Sequence, residues 1–459
     1  MIKYISTRGG GAPLSFEQVL LAGLAPDGGL YVPESWPQID MAALKGKSYN
    51  EIAEVVMFPF VEGAIEREDF RTIIKETYAT FRHGDVTPLH HLKDNLYIME
   101  QFHGPTIAFK DVALQLLGRL FDHVLKKQDK RITIVGATSG DTGSAAIEGC
   151  AASDHIDIFI LHPKGRVSDV QRKQMTTVKA DNVYNIALEG TFDDCQNMVK
   201  AMFNDTEFRT SVNLSAVNSI NWARIMAQIV YYFASVSKLD SAASFVVPTG
   251  NFGNVFAAYA ARNMGCPIKT LCVASNKNDI LTRFFESGAM TMAQAHKTLS
   301  PSMDIQISSN FERYLFDLLD RDAPRLAQLM DTFKEDGDIA VSDAHLNKAR
   351  TSFDSVRTDD EETLELIKEV YAENDYILDP HTAVGMKGAK ALADKEGGAV
   401  VLLATAHPSK FPDAVEQAIS VRPALPDHLS NLMTREEIMS DMPNDRTAVQ
   451  VFVKSKTRV

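Results

Sequence analysis

The sequence predicts an α/β protein with two α/β domains, each built on a mainly parallel sheet, and a small N-terminal domain. Three observations lead to this prediction. The chain has 459 residues, more than one simple core usually holds. From about residue 95, short apolar stretches alternate with amphipathic ones, which is the pattern of strands and helices around a parallel sheet. The chain before that point has a different, mixed pattern.

The N-terminal domain is predicted over residues 1–84. Residues 26–29, Pro-Asp-Gly-Gly, are a turn signal, and residues 30–32 after them form a short strand. Helices are expected at 48–63 and 67–80. Few strands and two adjacent helices make this a small unit without an α/β repeat.

The rest of the chain is divided by its alternation of elements. Strands are predicted at 96–101, 131–135, 156–161, 183–188, 244–247, 268–274 and 399–404. Helices are predicted at 107–127, 143–152, 168–178, 192–203, 220–237, 254–264 and 412–420, with a mostly helical stretch at 278–375. The smaller, mobile α/β domain is assigned to 126–214. The larger one is assigned to 85–125 and 215–459, with a helical elaboration at about 285–375. The tail after 423 is expected to be peripheral.

Composition disfavours several classes of function. The chain carries 47 basic and 60 acidic residues, a net charge of −13, which repels nucleic acid and anionic membranes. No apolar run is long enough to span a bilayer, and the first residues lack the apolar segment of a secretory signal. The four cysteines are sparse and have no metal-site spacing, so neither a metal nor a disulfide framework is expected. A cytoplasmic monomer or small homo-oligomer is expected.

Lys110 is the leading candidate for catalysis. Residues 102–111, Phe-His-Gly-Pro-Thr-Ile-Ala-Phe-Lys-Asp, place a Gly-Pro turn after a strand and Lys110 in the first turn of the next helix. The positive end of the helix dipole disfavours an ammonium there, and burial beside aromatic side chains acts in the same direction. A neutral lysine amine can attack an aldehyde. A lone lysine at a helix start is usually an exposed cation without a catalytic role. The case for Lys110 therefore depends on the neighbouring motifs.

Two glycine-rich turns join apolar strands to helices. Residues 136–144 read Gly-Ala-Thr-Ser-Gly-Asp-Thr-Gly-Ser, and residues 248–254 read Pro-Thr-Gly-Asn-Phe-Gly-Asn. Amides at such helix starts bind phosphate or carboxylate groups, although either turn alone could be purely structural. Neither has the lysine of a P-loop or the spacing of a dinucleotide-binding turn, which disfavours a nucleotide switch.

Two further segments carry polar side chains suited to a ligand. Asn218, Asn221 and Arg224 are three residues apart and share one face of a helix start. A buried arginine among amides can bind phosphate or carboxylate; the alternative is a capping cluster with an exposed arginine. Thr405 and Lys410 follow the last strand, where the carboxyl ends of parallel strands face the ligand crevice.

Taken together, these features suggest a particular kind of cofactor. The sequence has two anion-binding turns and a lysine expected to be buried. It lacks Gly-x-Ser-x-Gly, His-Glu-x-x-His and Cys/His metal motifs. This combination favours a cofactor that has both a phosphate and an aldehyde.

The segments resemble the threonine synthase family, within the tryptophan synthase β group of pyridoxal-phosphate (PLP) enzymes. The match runs almost the whole length and keeps the family's order. It is carried by residues 4–9, 23–33, 102–111, 218–221, 250–253 and 405–408. The N-terminal segment and the Ser-Gly-Asp-Thr-Gly form of the first turn resemble the microbial and fungal branch. The resemblance implies fold type II, with PLP in the cleft between the two α/β domains.

The family's reaction is implied for this chain: O-phospho-L-homoserine and water give L-threonine and phosphate, the last step of threonine biosynthesis. Lys110 is then the Schiff-base lysine and Thr405 the partner of the pyridine nitrogen. The residues implied to bind the cofactor phosphate are Gly250, Asn251, Phe252, Gly253 and Asn254. Those implied to bind substrate are Thr138, Ser139, Gly140, Asp141, Thr142, Asn218, Asn221 and Arg224. The turn of residues 138–142 receives the substrate carboxylate. Arg224 is the first choice for the substrate phosphate, and Lys410, Lys164 and Arg166 are weaker candidates.

Two other functions stay open. A related PLP lyase would release phosphate from the same substrate but give 2-oxobutyrate, and these motifs separate the two products poorly. A PLP-binding pseudoenzyme is disfavoured by Lys110 and the two anion-binding turns.

Overall fold

The computed structural model describes residues 1–459 and shows an α/β protein. The strands are β1 Tyr4–Ser6, β2 Tyr31–Pro33, β3 Leu89–Lys93, β4 Leu96–Glu100, β5 Ile132–Ala137, β6 Ile156–Pro163, β7 Val183–Leu188, β8 Leu214–Ser215, β9 Ala243–Pro248, β10 Ile268–Ser275, β11 Ala289–Thr291, β12 Asp338–Ala340, β13 Phe353–Arg357, β14 Ala399–Ala404 and β15 Ser440–Met442. No helix is both long and apolar enough to cross a membrane.

Eighteen α-helices accompany these strands. They are α1 Phe16–Ala22, α2 Tyr49–Val61, α3 Arg67–Tyr78, α4 Lys110–Gln128, α5 Asp141–Cys150, α6 Asp169–Thr176, α7 Phe192–Asn204, α8 Thr206–Ser211, α9 Trp222–Leu239, α10 Gly253–Asn263, α11 Ile280–Ser287, α12 Phe311–Leu318, α13 Ala323–Asp336, α14 Asp343–Arg350, α15 Asp360–Asn374, α16 Pro380–Lys395, α17 Pro412–Ile419 and α18 Arg446–Lys456.

The chain divides into two compact units. The larger unit comprises Met1–Lys75, Phe81–His103 and Ser219–Pro423, and the smaller unit comprises Glu76–Thr80, Gly104–Asn218 and Ala424–Val459. Helix α4 and the C-terminal segment thus belong to the smaller unit, whereas the boundaries drawn from sequence give residues 85–125 and the whole tail to the large domain.

The larger unit is built on a six-stranded sheet in the order β13-β10-β9-β14-β4-β3. All its pairings are parallel except the antiparallel β3–β4 pair at one edge. Strands β9 and β14 are buried almost throughout and read as continuous apolar runs, as expected of parallel strands covered on both faces. Because β9 and β14 are parallel neighbours, the segments that follow them start at the same edge of the sheet.

The smaller unit has a five-stranded sheet, parallel throughout, in the order β15-β7-β6-β5-β8. The expectation that the tail after 423 is peripheral is wrong. Strand β15 extends this sheet, and Val449 and Val453 of α18 are fully buried in its apolar core. Apolar positions four apart on α18 give the helix an apolar face, which packs into the core of this unit.

Two other elements differ from the sequence prediction. The stretch 278–375, expected to be mostly helical, also contains the antiparallel pair β11–β12 and strand β13, which joins the main sheet. Helix α4 begins at Lys110 and not at residue 107, because the preceding turn follows a different backbone path, with Ile107 at a φ of 55°. The predicted α/β class with mainly parallel sheets is confirmed.

Candidate active site

Lys110 is the first residue of α4, in the smaller unit, and is only 9% exposed. Its Nζ donates to Asp141 Oδ2 at 3.1 Å and lies 5.4 Å from the centroid of the Phe109 ring. Burial raises the free energy of the ammonium form, and the start of a helix does so too. The Asp141 carboxylate offsets these effects and helps to hold the amine in place.

Asp141 is oriented by a residue that the sequence analysis missed. Gln171 Nε2, on α6, donates to Asp141 Oδ1 at 2.8 Å, and the hydroxyl of Ser168 donates to Gln171 Oε1 at 2.9 Å. The only sequence signal was the Ser-x-x-Gln pattern of 168–171, which predicts ordinary helix capping. Each carboxylate oxygen of Asp141 thus has its own donor, and the carboxylate cannot rotate without losing one.

The turn of residues 138–142 is stabilised by its own first side chain. Thr138 Oγ1 accepts from the amides of Gly140 and Gly143, at 3.0 and 2.9 Å. Gly140 has a φ of 145°, a backbone conformation that residues other than glycine rarely adopt. Ser139 is exposed and Thr142 is half-buried, so these two residues of the turn are the more accessible to a ligand.

The loop of residues 250–254 lies in the larger unit, between β9 and α10. A Cβ on Gly250 would come within 2.7 Å of the Ser302 carbonyl oxygen, so only glycine fits there. Phe252 adopts a left-handed φ of 57° immediately before α10 begins at Gly253. The first turn of α10 contains no acidic residue. The positive end of this helix is therefore not offset by any carboxylate of its own.

The two asparagines of this loop face different surroundings. Asn251 is exposed. Asn254 is buried, where its Oδ1 accepts from the hydroxyls of Tyr231 and Tyr232 and its Nδ2 donates to Gln101 Oε1 at 3.3 Å. The side chain of Asn254 is committed to the fold, so the residue can contribute only its backbone amide to an anion.

Asn221 and Arg224 occupy the start of α9 in the larger unit. Asn221 is its N-cap, accepting from Ala223 N at 3.0 Å, and its Nδ2 donates to Leu20 O at 2.9 Å. Arg224 is 4% exposed, and its Nε and Nη1 have no hydrogen-bond partner. Desolvation lowers the pKa of Arg224 to about 10. An unpartnered buried guanidinium is costly, and an anion bound there would remove that cost.

The remaining predicted residues are divided between the units. Asn218, in the smaller unit, has a buried Oδ1 without a partner. Thr405, in the larger unit, directly follows β14, and its amide donates to Thr382 Oγ1 at 3.2 Å. Lys410 is fully buried in the larger unit. Lys164, a weaker candidate for binding phosphate, forms an exposed ion pair with Asp441 at 2.8 Å.

Comparison with protein families gives matches over most of the chain. A family model for the threonine synthase N terminus matches residues 3–78. A model for pyridoxal-phosphate-dependent enzymes matches residues 81–332, and a model for the threonine synthase C-terminal region matches residues 382–453.

Full-length relatives and solved structures agree with these matches. The threonine synthase of Pseudomonas aeruginosa is 55% identical and that of Schizosaccharomyces pombe 44% identical, each with at least 98% of both chains aligned. The crystal structure of PLP-bound threonine synthase from Brucella melitensis is similar with a TM-score of 0.98 at 51% identity, covering 100% of both chains. Threonine synthase from yeast gives a TM-score of 0.94 at 42% identity, covering 99% of this chain and 98% of that one.

Proposed function

The chain belongs to the threonine synthase family of pyridoxal-phosphate-dependent enzymes, and we propose that Lys110 is the residue through which it performs that family's reaction. The reaction converts O-phospho-L-homoserine and water into L-threonine and phosphate. The observation that carries the assignment of Lys110 is its burial at the start of α4, where its amine donates to the Asp141 carboxylate.

The residues present fit PLP. The aldehyde of PLP reacts with a lysine amine, and Lys110 is buried. The phosphate of PLP suits a helix start without acidic residues, and α10 starts in this way, shortly after Gly250, where a side chain does not fit. We assign the phosphate to the backbone of Gly250, Asn251, Phe252, Gly253 and Asn254. Thr405, which starts at the same sheet edge as that loop, is assigned to the pyridine nitrogen. When bound, PLP supplies an electron sink for the carbons next to the substrate amino group.

Lys110 is proposed to act as the base that moves protons once its amine is released by substrate. A flexible amine at the end of a four-carbon chain can reach adjacent carbons on one face of a ligand. Asp141 accepts from Nζ and would keep the amine in place between proton transfers. Gln171, which fixes Asp141, would preserve that orientation when Lys110 moves away.

Arg224 is proposed to bind the substrate phosphate. Its guanidinium is buried with two unpartnered nitrogens, and a phosphate offers acceptor oxygens in the geometry that a guanidinium prefers. Asn221 caps the helix that carries it, and Asn218, with its unpartnered oxygen, is proposed to meet a donor of the substrate.

The turn of residues 138–142 is proposed to receive the substrate carboxylate. Because Thr138 takes the amides of Gly140 and Gly143, the donors for substrate are expected from Ser139 and Thr142. Asp141 contributes a negative charge to the same turn, and its ion pair with Lys110 limits the repulsion of an incoming carboxylate.

The setting in which the enzyme works is a further part of the proposal. A net charge of −13 disfavours nucleic acid and anionic membranes as partners. The four cysteines, Cys150, Cys195, Cys266 and Cys272, are buried free thiols, which suits a reducing cytoplasm. We propose a cytoplasmic monomer or small homo-oligomer.

Product analysis tests the function. Purified protein with PLP and O-phospho-L-homoserine should release phosphate and L-threonine in equal amounts. Phosphate accompanied by 2-oxobutyrate would keep the assignment of the cofactor site and replace the synthase by a phospho-lyase. Absence of phosphate release would reject the substrate.

A further inference from the structure

We propose that Asn310 and Arg313, in the larger unit, are positioning residues that hold the loop 250–254 in its phosphate-binding shape. The inference rests on the proposed role of that loop. Asn310 contacts the loop twice: its backbone amide and its Nδ2 both donate to the Asn251 carbonyl oxygen, at 3.1 and 2.9 Å. Both bonds end on one carbonyl, so they hold that oxygen towards Asn310, and we expect the neighbouring amides to stay available to a ligand.

The chain around the start of α12 braces the loop at two further points. The hydroxyl of Ser308 donates to Gly250 O at 2.8 Å, and the Phe311 ring packs edge-on against Phe252 with centroids 4.9 Å apart. Phe252 needs this support, since its left-handed backbone is unfavourable for a residue with a large side chain. The shape of the loop is therefore imposed from outside and is not favoured by its own sequence.

Arg313 determines which way the Asn310 amide faces. Its Nη1 donates to Asn310 Oδ1, while Nε donates to Tyr31 O at 2.9 Å and Nη2 to Ile220 O at 2.6 Å. An arginine only donates, so it holds the amide oxygen on its own side and leaves Nδ2 for the loop. Arg313 is 0% exposed, and burial lowers its pKa to about 9. The three acceptors offset part of the cost of burying this charge.

The same two residues also hold the chain ahead of the proposed substrate-phosphate arginine. Asn310 Nδ2 donates to Ser219 O at 3.2 Å, and Arg313 donates to Ile220 O, one residue before the N-cap Asn221. The cofactor-phosphate loop and the start of the Arg224 helix are thus fixed by one hydrogen-bonded pair.

Packing alone leaves part of this region open. A cavity of about 250 Å³ lies within the larger unit, and its lining includes Ile220, Ser308, Ser309, Phe311 and Glu312. The segment that carries Asn310 therefore borders a partly open pocket, and the hydrogen bonds of Asn310 and Arg313 fix it where packing on one side is missing.

The test separates binding of the phosphate from binding of the ring. Dissociation constants of the apoprotein for PLP and for pyridoxal, which lacks the phosphate, are measured for wild type and for Asn310→Ala. We expect the variant to bind PLP about 10- to 30-fold more weakly, the loss of one or two hydrogen bonds at a charged site, with pyridoxal affinity changed less than about 2-fold. Equal loss for both aldehydes would overturn the positioning role and leave Asn310 merely structural.

Two further variants keep the test decisive if Asn310→Ala folds poorly. Asn310→Asp retains the acceptor for Arg313 but loses the Nδ2 donor, so it should fold and still lose the preference for PLP over pyridoxal. Asn182→Ala is the matched control, because Asn182 is also buried and donates to the carbonyls of Cys150, Ser153 and Ile156 in the smaller unit. It should lower thermal stability with the preference unchanged.

The outcomes also separate this inference from the proposed function. If wild type prefers PLP and Asn310→Ala and Asn310→Asp keep that preference, the positioning role is overturned and the loop assignment stands. If wild type binds PLP and pyridoxal equally, the loop does not hold the cofactor phosphate, and the loop assignment and the positioning role both fail.

Discussion

The two glycine-rich turns of the protein resemble each other in sequence but are stabilised in opposite ways. The turn before α5 is held by its own Thr138 and carries its own carboxylate, Asp141, in the first helical residues. The loop before α10 has no acidic residue in the first turn of its helix and is held from outside by the segment that begins at Ser308.

This difference indicates which turn needs an external dianion. A carboxylate at a helix start already offsets the positive end of the dipole, and in α5 it is paired with Lys110. Helix α10 has no such group, so a bound phosphate would supply a negative charge there. Similar glycine spacing therefore serves a lysine–carboxylate pair in one unit and, as we propose, a phosphate site in the other.

The largest effect is expected from the lysine of the first turn. Lys110→Ala should lower turnover by at least about 10³-fold, because both the attachment point and the mobile base are lost. Coupled release of phosphate and L-threonine is the measurement. Lys126→Ala, an exposed lysine on the same helix, is the control and should be near normal. Near-normal turnover of Lys110→Ala would end the proposal.

A carboxylate introduced into the loop 250–254 would give α10 the acidic helix start that α5 has in Asp141. Gly253→Asp is expected to weaken PLP binding about 100-fold, because the new charge repels the phosphate over a few ångströms. Gly253→Ala is the control, since a Cβ there has its nearest atom, Asn310 Nδ2, at 3.4 Å. Equilibrium dialysis against PLP distinguishes them. Unchanged affinity of Gly253→Asp would show that the phosphate binds elsewhere.

Substitutions of Arg224 test whether this unpartnered guanidinium binds the substrate and not the cofactor. Arg224→Met should raise KM for O-phospho-L-homoserine about 10- to 100-fold with little change in PLP affinity. It should also raise the free energy of unfolding of the substrate-free protein by about 1 kcal/mol, because a desolvated, unpartnered guanidinium is removed. Arg224→Lys, which keeps the positive charge, should raise KM for O-phospho-L-homoserine less than Arg224→Met does. Destabilisation with equal loss of cofactor and substrate would indicate a structural role.

The smallest effect concerns the C-terminal segment that is bonded to α6, the helix that carries Gln171. Glu437 accepts from Arg172 Nε at 2.9 Å and Thr176 Oγ1 at 2.7 Å, on the helix that carries Gln171. Hydrogen bonding from Arg172 first, and then from Thr176, lowers the pKa of Glu437 from 4.5 to about 2. Since the folded pKa is depressed, the stabilisation is complete above about pH 4.5 and is lost as the pH falls towards 2.

Glu437→Gln should therefore lower the free energy of unfolding by about 1 kcal/mol at pH 7, with the difference shrinking below pH 4.5. Denaturant unfolding at several pH values is the measurement. Glu436→Gln is the control, because Glu436 forms only an exposed ion pair with Lys179. A difference from wild type that is constant across this pH range would contradict the assignment.

Strong local patterns were predicted correctly, and long-range contacts were not. Strand β14 lies where the sequence predicted it, because a run of six apolar residues in an α/β protein is typical of a parallel strand that is covered on both faces. Gln171 and Asn310 were missed since each acts on a residue 30 or more positions away, at contacts that local spacing does not encode. The peripheral tail was wrong for the same reason: its sheet partner, β7, lies far earlier in the chain.

The sequence by itself determined the α/β class and the family and singled out the segments proposed to carry the chemistry, because apolar periodicity, glycine spacing and motif order are local properties of the chain. Only the tertiary structure showed that Asp141 meets Lys110, that Arg224 is buried without a partner and that Asn310 braces the loop. Those facts depend on burial and on which side chains folding brings together. Burial sets the free energy of a charged side chain, and the burial of each side chain is known only from the folded structure.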